Sequence, residues 1–246
     1  MTHLLVRPLA ITACVLTLAL AGGCASGPNA DPRDPLEPFN RGVTRFNDGV
    51  DRAVLKPVAQ AYDKVTPDVV RTGVSNFFNN LQDAWTAVNA LLQFKPQAAV
   101  DSLFRFQINT VFGIGGLLDI ASEANIERHK EDFGQTLGRW GVPAGPYLVL
   151  PLLGPSTVRD ASALPVNTWG NGITHLDSES LRYTLYGLRL VEARANLLRA
   201  SNVLDEAALD KYTFTRDVYL QLRGDAVHDG EPWNPEKDPA ASGTAK

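Results

Sequence analysis

The amino-acid sequence predicts an all-α fold, and three observations predict it. Apolar residues recur at steps of three and four along several long stretches. Convincing two-residue alternation bounded by hairpin turns is nearly absent. Prolines and Lys-Pro pairs fall at the ends of the periodic stretches, where helices start and stop.

The first segment reads as a processing signal. Arg7 gives a weakly basic start, Leu9 to Ala21 is almost wholly apolar, and Ala21-Gly22-Gly23-Cys24 follows. The apolar run is too short to cross a bilayer as a helix. A cysteine after small residues suggests a lipobox, whose thiol is diacylated and whose new amine is acylated after cleavage. Ala21 stands where such boxes usually carry leucine, with Leu20 one place early. The expectation is that residues 1–23 are removed and that Cys24 is the lipidated N-terminus. Ordinary secretory cleavage nearby is the alternative, and it would leave Cys24 a free, reactive thiol. Cys14 lies inside the removed run, so no disulfide framework is available to the mature chain. Several acyl chains, at about 0.8 kcal/mol per buried methylene, anchor a protein without spanning the membrane. Ala25 in place of an aspartate after the cysteine points to the outer membrane, on its periplasmic side.

The mature chain is long enough for one domain with a substantial core. Residues 24–33 are small, polar and Pro-containing, and read as a flexible tether. From Asp34 the spacing turns helical: Phe39, Val43, Phe46, Val50 and Val54 share a face, with Asp34-Pro35 as the expected cap and Lys56-Pro57 as a kink or break. A second helix is expected from Pro67 to Lys95 and a third from Pro96 through Val111. Helical spacing returns at residues 180–198 and 205–222, and Ser156 is the expected cap of a helix through Arg159 and Asp160. Residues 224–246, rich in Gly, Pro and acidic groups, lack the apolar content to offset their ordering entropy and are expected to be disordered.

Two features stand out. Between Arg71 and Lys95 the only charge is Asp83, while Asn76, Asn79, Asn80, Asn89 and neighbouring Gln, Ser and Thr supply the polarity. Such a helix either walls a path that must satisfy polar groups without ionic pairing or packs among others with its amides satisfied. The second feature is a pair of Gly- and Pro-studded apolar stretches, residues 112–118 and 141–155, flanking the charged segment 128–132. Glycine and proline at this density prevent a regular helix, and the natural shape is a hairpin.

The formal charge of −4, without a basic run, argues against nucleic acid. Signals for catalysis are poor. Phe112-Gly113-Ile114-Gly115-Gly116 lacks the Lys-Ser/Thr of a phosphate loop. His3, His129, His175 and His228 lie far apart, without metal-ligand spacing. Gly154-Pro155-Ser156 has no nucleophile-elbow symmetry. No catalytic residue, cofactor or metal is expected.

Several blocks resemble one family. Asp34-Pro35-Leu36-Glu37-Pro38-Phe39-Asn40-Arg41, then Val74-Ser75-Asn76-Phe77 and Arg105-Phe106-Gln107-Ile108-Asn109-Thr110, then residues 133–142, 145–156 and Arg159-Asp160, together resemble the MlaA (VacJ) lipoproteins. The resemblance runs from Asp34 to about Arg223 and departs at Ala21 and in a shorter, less acidic tail. It implies a flattened ring of amphipathic helices around a central amphipathic channel, lying in the inner leaflet of the outer membrane beside a trimeric porin. Phospholipid from the outer leaflet would pass through to a soluble periplasmic carrier of the Mla pathway. The amides of Asn76, Asn79, Asn80 and Asn89, with Phe46, would form the lipid path. Gly113, Gly115, Gly116, Gly141, Gly145, Pro146, Leu148 and Leu150 would belong to a hinged gate. A structural envelope lipoprotein without transport is the alternative function. A lipid hydrolase would need a nucleophile and base that the sequence does not offer.

Overall fold

The computed structural model describes residues 31–229, apart from the side chains of 205–207. The expected signal segment, Cys24, most of the tether and the tail beyond residue 229 lie outside the described residues. Within them the fold is helical apart from one two-stranded sheet, as the periodicity predicts.

Helix α1 (Glu37–Val50) carries Pro38 in its first turn. Its cap position is Leu36, without a side-chain bond, so the cap expected at Asp34 does not form. Asp34 is instead fully buried, accepting hydrogen bonds from Asn40 Nδ2 at 2.8 Å and from the Tyr212 hydroxyl. One partner comes from the adjoining helix and the other from a helix near the far end of the chain, which local spacing could not reveal. Of the kink or break expected at Lys56-Pro57, the break is absent. A π-helical turn, Asp51–Leu55, carries α1 into α2 (Lys56–Val65), and the Lys56 N–H bonds to the Asp51 carbonyl. The wider turn makes room for the Pro57 ring and absorbs its missing donor.

Helices α3 (Asp68–Leu92) and α4 (Pro96–Val111) pack as the most extensive helix pair. Alanines Ala90, Ala98 and Ala99 let their backbones approach closely. The reversal between them places Phe94 in the left-handed region at φ 59°, with the Lys95 N–H bonded to the Ala90 carbonyl at 2.9 Å. Short helices α5 (Ile120–Glu123) and α6 (Phe133–Arg139) follow. Strands β1 (Tyr147–Leu150) and β2 (Gly154–Thr157) pair antiparallel, with Tyr147 opposite Thr157 and Leu150 opposite Gly154.

Helix α7 (Val158–Gly170) is capped by Thr157, whose Oγ1 accepts from the Asp160 N–H at 3.2 Å. The expected cap, Ser156, lies one residue early, inside β2. After a 3-10 turn (Gly172–His175) come α8 (Glu179–Asn196), α9 (Leu198–Ala207) and α10 (Lys211–Val227). The single helix expected over 205–222 is therefore two, divided where Asp210 caps α10.

Both ends of the expected domain shift outward. Asp31 and Arg33, expected in the tether, ion-pair with Arg216 and Asp217 on α10. Helix α10 runs past residue 223, the expected boundary, to Val227, which is buried against Gly138. The apolar core is small: Tyr147, Val149, Tyr212 and Leu220, with Val43 and Tyr219 packed against it.

Candidate functional site

Polarity is inverted across the α3–α4 pair. Asn80, Asp83, Thr86 and Asn89 recur at three-residue steps on α3 and are buried; Ser102, Arg105 and Asn109 are their buried counterparts on α4. Val88, Leu91, Phe94, Leu103, Phe104 and Val111 are exposed, and the exposed run continues through Phe112, Ile114, Leu117 and Leu118. A helix pair folding in water buries its apolar stripe. An exposed apolar area of this extent marks contact with a membrane or a partner.

Most of the buried polar groups are paired, although Ser102 Oγ, Asn80 Oδ1 and Gln93 Oε1 have no hydrogen-bond partner among the described residues. Arg105 forms a fork to Asp119 at 2.7 and 2.8 Å and donates to the Ile126 carbonyl at 2.6 Å. Arg128 reaches Asp83 at 2.8 Å. Glu131 accepts from Gln93 and Lys95, each at 3.0 Å, and Thr136 donates to Asn89 at 2.9 Å. Arg223 of α10 clamps Asp132 at 2.6 and 2.7 Å and Asp160 at 2.8 and 2.9 Å. Burial alone would raise both carboxyls. The hydrogen bonds and charge of Arg223 outweigh it and hold them below the ordinary range. Gly134 belongs in this clamp because a Cβ there would overlap Asp160 and Arg223.

An amphipathic cavity of about 450 Å³ opens between α3, α7, α8 and the tip of the β-hairpin. Leu81, Trp85, Leu153 and Leu164 give it apolar walls; Gln82, Asn167, Asn171 and Arg189 give it polar ones. The indole N–H of Trp85 donates to Asn167 Oδ1 at 3.0 Å, which also accepts from the Phe133 N–H at 2.9 Å. A second, charged cavity of about 240 Å³, lined by Asn79, Asp83, Arg128 and Gln135 among others, shares Gln82 and Asp132 with the first. The two therefore adjoin.

The sequence-derived candidates divide. Asn79 lines the charged cavity. Asn80 and Asn89 do not face a path: Asn80 donates to Thr110 at 2.9 Å, and Asn89 is consumed by Trp85 and Thr136. They lie on the packed face of α3, each roughly a quarter turn round the helix from Asn79, which composition cannot distinguish. Asn76 donates to the Leu117 carbonyl at 3.1 Å, and Phe46 is 55% exposed on α1. Cys24 lies outside the described residues.

One hairpin bounded by residues 113–116 and 141–145 does not form, because α5 and α6 intervene. Gly113, Gly115 and Gly116 make a tight reversal after α4, with Gly116 against Asn80. Gly141 and Gly145 take positive φ and lead through Pro146 into the real hairpin, which contains Leu148 and Leu150. Its β1 strand is fastened to α1. Asn40 bridges the Tyr147 carbonyl and the Val149 N–H at 3.0 and 2.8 Å, and Asn47 bridges the Leu150 carbonyl and the Leu152 N–H at the same distances. Only the tip, through Leu153, reaches the amphipathic cavity.

Sequence reasoning missed Trp85, Asn167 and Arg189 as cavity residues. Arg189 follows Leu185 and Leu188 on an apolar stretch, where an arginine reads as an ordinary solvent-facing charge. Among the described residues no cluster of His, Cys, Asp and Glu could hold a metal ion, and no helix is long and apolar enough to cross a membrane.

The model of the family described as MlaA lipoprotein matches residues 32–226. The intermembrane phospholipid transport system lipoprotein MlaA of Shigella flexneri is 38% identical, covering 95% of this chain and 94% of that protein. Its namesake in Escherichia coli K12 is 37% identical over the same shares. A solved structure described as the structural basis for maintenance of bacterial outer membrane lipid asymmetry superposes with a TM-score of 0.70. It is 35% identical and covers 79% of this chain and 98% of that one.

Proposed function

The chain belongs to the MlaA lipoprotein family, and from that premise we propose that it maintains outer-membrane lipid asymmetry by removing phospholipid from the outer leaflet and passing it towards the periplasm. The observation that carries this reading is the inverted polarity. Apolar side chains cover the outside of α3 and α4, while an amphipathic cavity beside them offers amides to a headgroup and leucine and tryptophan surface to acyl chains. Burying the outward face in acyl chains would gain roughly 25 cal/mol per Å². No ester need be broken, since a lipid leaving the outer leaflet moves downhill once its headgroup has a polar path.

Cys24 carries the lipid anchor, and the exposed face of α3–α4 rests in the inner leaflet. A trimeric porin holds the protein in place, and a soluble periplasmic carrier receives the lipid. The tip of the β-hairpin gates the cavity, its base being fixed by Asn40 and Asn47. The chain is a conduit and not an enzyme.

The deciding experiment is loss of the protein in its own cells, followed by labelling of outer-leaflet phospholipid. Accumulation that the intact chain reverses is expected, and an unchanged leaflet would defeat the reading. Purified protein should leave every phospholipid ester intact; steady fatty-acid release would defeat the non-enzymatic part. Mass spectrometry should find the acylated N-terminus at Cys24.

A further inference from the structure

Arginines of this protein follow a rule with one exception. Every other buried or half-buried arginine among the described residues, including Arg105, Arg194, Arg216 and Arg223, has a carboxylate within 4.0 Å. Arg189 is half-buried in the wall of the amphipathic cavity and has no ion-pair partner among the described residues. Its Nη2 donates to Gln82 Oε1 at 3.3 Å, a neutral acceptor that orients the guanidinium without neutralising it.

Carboxylates nearby are already committed. Asp132 lines the same cavity, yet both its oxygens accept from Arg223. Glu192, one turn further along α8, accepts from Ser75 and Asn196. Glu192 attracts the guanidinium through space without forming an ion pair with it, so the cavity holds one positive charge that has no direct counter-ion among the described residues. Burial works against it, lowering the pKa of Arg189 from its ordinary value. Arginine stays charged in proteins, so this cost persists until an anion arrives. A planar guanidinium fits the paired oxygens of a phosphodiester. The surrounding Leu81, Trp85 and Leu164 fit acyl or glycerol carbon and would gain nothing from a free inorganic ion.

We infer that Arg189, oriented by Gln82, is the phosphate-binding subsite of the cavity and gives it a preference for phospholipids of net negative charge. The inference rests on the conduit reading and deepens it. A zwitterionic lipid brings its own ammonium, which partly cancels the phosphate's attraction. An anionic lipid such as phosphatidylglycerol brings no such cation.

The test uses the purified full-length lipoprotein in neutral detergent, titrated calorimetrically with four probes: dihexanoyl phosphatidylglycerol, dihexanoyl phosphatidylcholine, dihexanoylglycerol and inorganic phosphate. The intact protein should bind phosphatidylglycerol more tightly than phosphatidylcholine. Arg189→Gln should weaken phosphatidylglycerol binding by roughly 10- to 100-fold, the loss of a hydrogen bond to a charged group, and abolish the preference. Dihexanoylglycerol binding should not change, and Arg189→Lys should restore part of the preference. Thermal melting confirms that each variant is folded, and the headgroup preference of the unaltered protein needs no variant at all. Equal phosphatidylglycerol affinity in Arg189→Gln, or no headgroup preference in the intact protein, overturns the subsite while leaving the conduit standing. Inorganic phosphate bound as tightly as phosphatidylglycerol makes this a free-phosphate site and overturns the lipid assignment. Binding of none of the three lipids overturns the subsite and the conduit together.

Discussion

Gly170, the last residue of α7, lies flat against the indole of Trp85, so close that a Cβ on the glycine would stand inside the ring. The glycine fixes the depth of a cavity wall. Trp85 is also held by its hydrogen bond to Asn167, one turn earlier on the same helix, and it lines the cavity.

Gly170→Ala should therefore push Trp85 into the lipid path. The overlap costs about 1–3 kcal/mol of stability, as overpacking generally does. It should also slow phospholipid clearance more than a surface substitution of equal destabilising effect. Adding Trp85→Leu should restore stability. Thermal melts and outer-leaflet labelling on the single and double variants check this; a Gly170→Ala protein of normal stability and clearance contradicts it.

The clamp of Arg223 on Asp132 and Asp160 makes stability depend on pH in a definite sense. Both carboxyls are held below the ordinary value of 3.8, so their contribution is present above that value. It is lost as the pH falls through their lowered folded-state values. Arg223→Gln leaves the half-buried Asp132 without a cation and the buried Asp160 with Arg159 alone, at a cost of up to about 3–5 kcal/mol. Burial then raises them, and the acid limb of the stability curve moves towards neutral pH. Urea unfolding between about pH 3 and pH 7 measures the shift; an unmoved acid limb would show that the clamp is energetically idle.

Much of this fold was legible along the chain, and what escaped has a common cause. Helices α3 and α4 announce themselves because their periodicity and their prolines are local properties. Asp34, Arg223 and Arg189 owe their roles to residues more than ninety positions away, and no spacing encodes such partners. The amides of α3 were visible as a group, yet only the three-dimensional phase of the helix separates Asn79, on a cavity, from Asn80 and Asn89, in the packed interior. Strands β1 and β2 are four residues each, too short for alternation to stand out in a run crowded with proline and leucine.

Phe94 is a bulky residue in the left-handed region, 89% exposed at the turn between α3 and α4. Glycine would adopt that backbone without the penalty, so Phe94→Gly should stabilise the protein by about 1 kcal/mol. Little packing is lost, because the ring touches little. A glycine there would cost membrane contact, since the ring leads the apolar edge of the pair. In a Cys24→Ala background, which removes the proposed anchor, Phe94→Gly should melt higher and bind phospholipid vesicles less. Higher melting with unchanged vesicle binding would place the ring outside the membrane contact.

The hairpin tip is where gating can be tested. Leu153 is the part of the Gly/Pro-rich stretch that enters the cavity wall, and it is flanked by Leu152 at φ 64° and Gly154 at φ 81°. Behind the tip, three hydrogen bonds from Asn40 and Asn47 fix β1 to α1 and a fourth holds the Leu152 N–H, so a moving tip would be confined to Leu153 and Gly154. Hinges need only a few such positions. Leu153→Cys with Leu164→Cys places thiols on facing elements of one cavity, and a bis-maleimide with a reducible centre can join them across it. The native thiols do not interfere if Cys24 is acylated and Cys14 removed. A moving tip predicts that cross-linking stops phospholipid clearance, that reduction restores it, and that each cysteine modified alone has little effect. Clearance at the same rate before and after cross-linking would make the tip a static wall, because a joined Leu153 and Leu164 can no longer part to admit a lipid.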